Sequence, residues 1–217
     1  AAEAFRAAHA FFMVSGTTGS VQAMVLSAVG RGDKIIMPRN VHRSAINALI
    51  LCGAIPIYVN PGIDDMLGIA LGMRVEDVAA AIAQHPDAKA VFVNNPTYYG
   101  ICSNLRAITD LAHAHGMKVL VDEAHGTHLY FSDRLPMSAM DAGADMAAIS
   151  MHKSGGSLTQ SSILLCGTAM APGYVHQIIN ITQPTSASYL LLVSLDISRR
   201  NLALRGREII NKIIDLV

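Results

Sequence analysis

A chain of 217 residues that is 52% hydrophobic, only 15% charged and formally neutral has material for one sizeable domain. It offers no electrostatic case for a nucleic-acid partner or an anionic membrane. No apolar run reaches the roughly 18–20 residues of a membrane span, and residues 1–6 look like an amphipathic helix rather than a secretory signal. Three cysteines without metal-like spacing, Cys52, Cys102 and Cys166, read as buried reduced thiols of a cytoplasmic protein. So low a charge predicts that another chain, or sequence outside this one, covers part of the surface. The missing initial Met predicts an incomplete polypeptide.

In chain order, short apolar runs predict strands over 11–14, 34–37, 55–59, 90–93, 118–121, 146–149 and 162–165. Between them, helical spacing predicts helices over 20–29, 43–51, 75–84, 105–115 and 136–142, and the pattern after Pro172 is helical to the end. The strands are apolar on both faces, as in a buried, mostly parallel sheet. Their alternation with helices predicts a three-layer α/β/α domain spanning 1–217. Gly30-Arg31-Gly32-Asp33 and His115-Gly116 supply breaks where helices turn into strands.

Two segments carry chemistry. Val119-Leu120-Val121-Asp122-Glu123-Ala124-His125-Gly126 is an apolar strand ending in an acid. Ser150-Met151-His152-Lys153-Ser154-Gly155-Gly156 places a lysine in a polar loop just past a second apolar strand, about thirty residues later. Pyridoxal phosphate chemistry needs such a couple: a carboxylate that keeps the pyridinium nitrogen protonated and an amine that holds the aldehyde as a Schiff base. Ligands of open α/β sheets lie at the carboxyl edge, where both residues fall. Asp122 also fits the ordinary use of a strand-end Asp in capping a turn.

Ser15-Gly16-Thr17-Thr18-Gly19-Ser20 follows a strand and opens a helix, so its amides and hydroxyls suit a phosphate dianion, or plain N-capping. No Lys-Ser/Thr pair completes a nucleotide-triphosphate loop. His125-x-x-His128 supplies too few ligands for zinc, and no metal site is expected.

Asp122-Glu123-Ala124-His125-Gly126, Ser150-x-His152-Lys153, Leu158-Thr159-Gln160-Ser161-Ser162 and Thr185-Ser186-Ala187-Ser188-Tyr189 resemble the large domain of the ornithine/lysine/arginine decarboxylases. The likeness runs from the Ser15 loop to about Arg200. It implies the aspartate-aminotransferase-type fold and pyridoxal 5′-phosphate, with a small C-terminal domain and an N-terminal segment outside this chain. It implies that Lys153 carries the aldehyde and that Ser150 and His152 contact the phosphate, as do Gly16, Thr17 and Thr18. Asp122 pairs with the ring nitrogen, and His125 belongs to the same polar cluster. His42 stacks on the pyridine ring, or caps the helix at Arg43. Asn95 or Thr97 reaches the phenolic oxygen, or both are turn residues. Thr185 reaches the neighbouring subunit's cofactor. The activity implied is decarboxylation of a basic amino acid (arginine, lysine or ornithine) by a homodimer or larger homo-oligomer with shared sites, with Lys153 or His152 protonating the product carbon. Asp64, Asp65 and Glu123 are candidates for the substrate's distal charge.

Overall fold

Each of the seven predicted apolar runs forms a strand of one sheet in the computed structural model, which describes residues 1–217. In chain order the elements are β1 (His9–Met13), α1 (Gly16–Ala28), β2 (Lys34–Pro38), α2 (Arg43–Cys52), β3 (Ile55–Val59), a small hairpin of β4 (Ile63–Asp64) and β5 (Ile69–Ala70), and α3 (Val75–Gln84). Then come β6 (Ala90–Asn94), α4 (Leu105–Ala114), β7 (Lys118–Glu123), β8 (Met146–Ile149), α5 (Met151–Ser154), β9 (Ser162–Cys166), α6 (Pro172–Thr182) and α7 (Tyr189–Ile214). Short 3-10 helices lie at Glu3–Phe5 and Thr127–Phe131.

The sheet order is β1-β9-β8-β7-β6-β2-β3. From β3 to β8 neighbours are parallel, whereas β9 runs antiparallel to both β8 and β1. All strands but β9 therefore end at one edge, and the loops leaving that edge build the site.

Alternation along the strands divides the core between two faces. In β7, Val119 and Val121 join the layer of α3, α4 and α7, while Leu120 joins that of α1, α2 and α6. In β6, Val91 and Val93 go one way and Ala90 and Phe92 the other. Helices thus cover both faces, giving the three-layer α/β/α architecture that the alternation of elements predicts. Burying one such side chain fully contributes about 1.5–3 kcal/mol. Leu120→Ala, in the middle strand of the sheet and fully buried, costs about 2–5 kcal/mol.

The helix predicted over 136–142 does not form; the segment is a series of turns. Polar side chains capture its backbone. Glu123 Oε1 accepts the Ala139 amide at 2.8 Å, and Ser138 Oγ donates to Asp141 Oδ2 at 2.6 Å. Arg6 also pairs with Asp141. Such local bonds compete with a helical ladder, and one α-type bond survives, from Ala142 N to Ser138 O at 2.9 Å.

Most of α7 stands off the core. Leu195, Leu202 and Ile210 face inward, while Leu190, Val193, Ile197 and Leu204 are exposed. No helix is long and apolar enough to cross a membrane.

Candidate active site

A cavity of about 510 Å³ opens at the carboxyl edge of the strands, lined by the ends of β6 and β7 and the starts of α1, α2 and α5. Lys153 and Asp122 both line it. Their strands are neighbours, with Asp122 opposite Ala148 and Glu123 opposite Ile149.

Asp122 is 4% exposed, and its Oδ1 accepts the Ala124 amide at 3.2 Å, so it also makes the turn bond of a strand-end Asp. Burial raises its pKa, against the lowering effects of that amide, Lys153 and His42. A buried carboxylate held in this way favours a cationic partner.

Lys153 sits on α5, a single helical turn, rather than in an irregular loop. Its Nζ lies 3.1 Å from His125 Nε2. Desolvation, then the positive charges of Lys153 and His42, lower the pKa of His125. The tight turn that presents His125 requires Gly126: a Cβ there would come within 2.5 Å of Glu123 Cγ and 2.9 Å of Pro96 Cδ.

The start of α1 forms one wall through Ser15, Gly16, Thr17 and Thr18. Gly16 adopts φ +71°, a conformation open to glycine, and its amide donates to the Gln160 carbonyl at 2.8 Å. No side chain caps this helix: Ser15 Oγ instead reaches Gln183 Oε1 at 3.3 Å. Thr17 Oγ1 is buried without a hydrogen-bond partner. A buried orphan hydroxyl is costly unless something outside the chain satisfies it. Beside an uncapped helix N-terminus, an anion fits that need.

His42 caps α2: its Nδ1 accepts the Ser44 amide at 3.2 Å and contacts Ser44 Oγ at 2.8 Å. The same residue lines the cavity, so capping fixes its position at the wall. His152 also lines the cavity, but its Nδ1 donates to the Ser161 carbonyl at 2.9 Å. Ser150 is fully buried behind it, with Oγ 3.2 Å from that same Nδ1.

Four predicted residues stand apart from the cavity lining: the buried Ser150, Asn95, Thr97 and Thr185. Asn95 is buried, with Oδ1 accepting the Ser103 amide at 2.7 Å, and Thr97 Oγ1 accepts the Ile101 amide at 3.2 Å. Thr185 is exposed between α6 and α7. Of the candidates for the distal charge, Glu123 lies fully buried between Tyr130 OH (2.5 Å) and Ala139 N (2.8 Å). Asp64 caps its own hairpin through Met66 N and Leu67 N, and Asp65 is exposed.

Sequence reasoning passed over Asn40, Ser44, Asn94, Tyr98, Thr159 and Gln160 as lining residues. Asn94 carried a signal, being the last residue of β6 directly opposite Asp122. Thr159 and Gln160 stood within one of the motifs that carry the resemblance, though the φ of +72° at Gln160 shows only in the backbone.

Pyridoxal phosphate needs an anion cradle, a carboxylate and an amine around one cavity. The orphan Thr17 hydroxyl, the buried Asp122 and Lys153 meet those needs. The arginine decarboxylases of Halalkalibacterium halodurans and Bacillus subtilis are 52% and 51% identical to this chain over all its 217 residues. The chain spans 44% of the length of each. Among solved structures, lysine decarboxylase A from Pseudomonas aeruginosa superposes with TM-score 0.88 at 27% identity, over 99% of this chain and 32% of that one. The family model for the Orn/Lys/Arg decarboxylase major domain matches residues 1–217, and the chain belongs to that family.

Proposed function

We propose that this chain is the cofactor-binding domain of a pyridoxal-phosphate enzyme that decarboxylates a basic amino acid, with arginine the first candidate. The observation that carries the reading is the convergence of Lys153, Asp122 and Thr17, whose hydroxyl is buried without a partner, on the lining of one cavity. Relatives at 51–52% identity named arginine decarboxylase support the substrate.

When bound, pyridoxal phosphate supplies an electron-accepting ring and an aldehyde that condenses with amines. The chain supplies the rest. Thr17, Thr18 and the α1 amides hold the phosphate, with Gly16 setting the turn. Asp122 holds a proton on the ring nitrogen. Lys153 would hold the cofactor's aldehyde. His42, locked by its cap at the cavity wall, would back the ring. Lys153 Nζ then moves a proton, and His125 Nε2 is the imidazole within reach of it at 3.1 Å. His152, bound to Ser161 O, steadies the wall and, with Ser150, backs the phosphate side. Asn95, Thr97 and Thr185 act from outside the cavity lining, the first two by shaping the loop after β6. Orientation and electrostatics are the protein's contribution.

The assembly proposed is a homodimer or larger homo-oligomer with shared sites. Its support is the apolar surface left open on α7 and by Tyr98, Tyr99 and Tyr189. The test is to incubate the full-length enzyme and pyridoxal phosphate with arginine, lysine or ornithine and to quantify CO₂ and amine. Equimolar CO₂ and diamine or guanidino amine is the expected result. An oxo acid without CO₂ would instead mark an aminotransferase, and no turnover of any of the three would defeat the proposal.

A further inference from the structure

Strand pairing between β7 and β8 ends at Glu123 and Ile149. Beyond those residues both segments leave the sheet, one toward His125 and the other toward Lys153. Within four residues a side chain rejoins them: Thr127 Oγ1 donates to the Ser150 carbonyl at 3.1 Å, in a fully buried setting. That carbonyl also accepts the Lys153 amide at 3.2 Å, the bond that starts the turn of α5.

A four-residue helix has almost no stability of its own, because nucleation fixes several residues for a single bond. The direction of α5 therefore depends on its external anchors: the fully buried Met151, the His152 bond to the Ser161 carbonyl, and whatever holds its first carbonyl. Ser150 Oγ is occupied by His152, and no side chain caps the turn. Thr127 is the anchor of that carbonyl. It is itself held, since Gly126 N donates to Glu123 O at 2.8 Å and Leu129 N to Gly126 O at 2.9 Å.

We infer that Thr127 is a positioning residue for Lys153: its hydroxyl fixes the Ser150 peptide, and through it the approach of Lys153 Nζ to His125. The inference rests on the proposed role of Lys153 and adds a residue that does not touch the cavity. Its signature differs from that of a packing residue. Thr127→Val keeps the shape and removes the donor, while Thr127→Ser keeps the donor and removes the methyl.

Both variants of the full-length enzyme are to be compared with wild type by two measurements. The first is hydrogen exchange of the Ser150–Ser154 backbone amides in cofactor-free protein. The second is the rate at which added pyridoxal phosphate gives a borohydride-reducible adduct on Lys153, with the pH midpoint of the bound cofactor's absorbance. Thr127→Val is expected to speed exchange in that segment, to slow adduct formation on the order of tenfold to a hundredfold and to shift the pH midpoint. Thr127→Ser is expected to restore all three. Wild-type exchange, rate and midpoint in Thr127→Val would overturn the inference, as would failure of Thr127→Ser to restore them. If wild type itself forms no adduct on Lys153, the functional reading falls and takes Thr127's catalytic meaning with it; the exchange measurement still decides whether Thr127 anchors α5.

Discussion

Lys153 Nζ lies 3.1 Å from His125 Nε2, although the two residues belong to different motifs that follow the ends of neighbouring strands. Burial and the charges of Lys153 and His42 depress the pKa of His125 below its ordinary 6.5. The imidazole is therefore neutral, and able to accept from Lys153, above that depressed value; as pH falls through it, two positive charges meet and the contact is lost. His125→Ala is expected to lower kcat/KM about 10²-fold or more and to remove an acidic limb with its midpoint below 6.5. A pH–rate profile of the variant that keeps the limb would assign it elsewhere.

Thr17 gives a test of the anion cradle. Its hydroxyl has no partner within the chain, so Thr17→Val is expected to leave the cofactor-free protein as stable as wild type, or more so. A hydrogen bond to a charged group contributes about 1.5–3 kcal/mol, so pyridoxal phosphate is expected to bind roughly tenfold to a hundredfold more weakly. Pyridoxal, which has no phosphate, is the control and is expected to lose nothing. Equal losses for both ligands would place Thr17 away from the phosphate.

In the role proposed for it, Asp122 trades stability for function. Burial raises its pKa, so its ionised form is disfavoured in the fold until a cation arrives. With the folded value above the unfolded one, stability is fully present below the ordinary carboxylate range and is lost as pH rises through the folded value. Asp122→Asn is expected to raise the Tm of cofactor-free protein at pH 7, by about 2–4 °C per kcal/mol gained, while most turnover disappears. Thermal melts and steady-state rates on one preparation check both halves; near-normal turnover would be fatal to the role of Asp122.

Glu123, next to Asp122, behaves differently. Burial pushes it from 4.5 up to about 8, offset in part by Tyr130 OH and Ala139 N, and the Tyr130 phenol is driven well above its usual range. The folded chain keeps a proton that the unfolded chain loses between 4.5 and about 8. Stability therefore falls as pH rises through that window, by on the order of a few kcal/mol, and levels off above it. Glu123→Gln keeps an oxygen for the Ala139 amide and sets an N–H toward Tyr130 OH in place of the protonated acid, so it is expected to cost no more than about 1 kcal/mol at pH 5 and to flatten the slope. Urea midpoints at pH 5, 7 and 9 measure this.

Most of the layer architecture was legible because buried parallel strands are continuously apolar, and β2, β6, β7 and β8 all show it. The reversed direction of β9 was not, since Ser162–Cys166 is buried throughout and reads the same either way. Residues 136–142 misled because their helical spacing competes with distant partners, Glu123 and Arg6, that no local pattern records. At the cavity, Lys153, Asp122, His42 and the Ser15 loop were legible as strand ends with chemistry attached. The contributions of Tyr98, Thr159 and Gln160 come from irregular backbone. Thr127 lies inside a short 3-10 helix, where its one side-chain hydrogen bond goes to a carbonyl that carries no sequence signal.

Lys153 is decisive for the chemistry proposed. Full-length wild type and Lys153→Ala, each mixed with pyridoxal phosphate, are to be reduced with borohydride and digested, and the labelled peptide identified. Wild type is expected to carry one label on Lys153 and to show an absorbance band that Lys153→Ala lacks. An unchanged yellow, reducible adduct in Lys153→Ala, or a wild-type label on another lysine, would contradict the assignment.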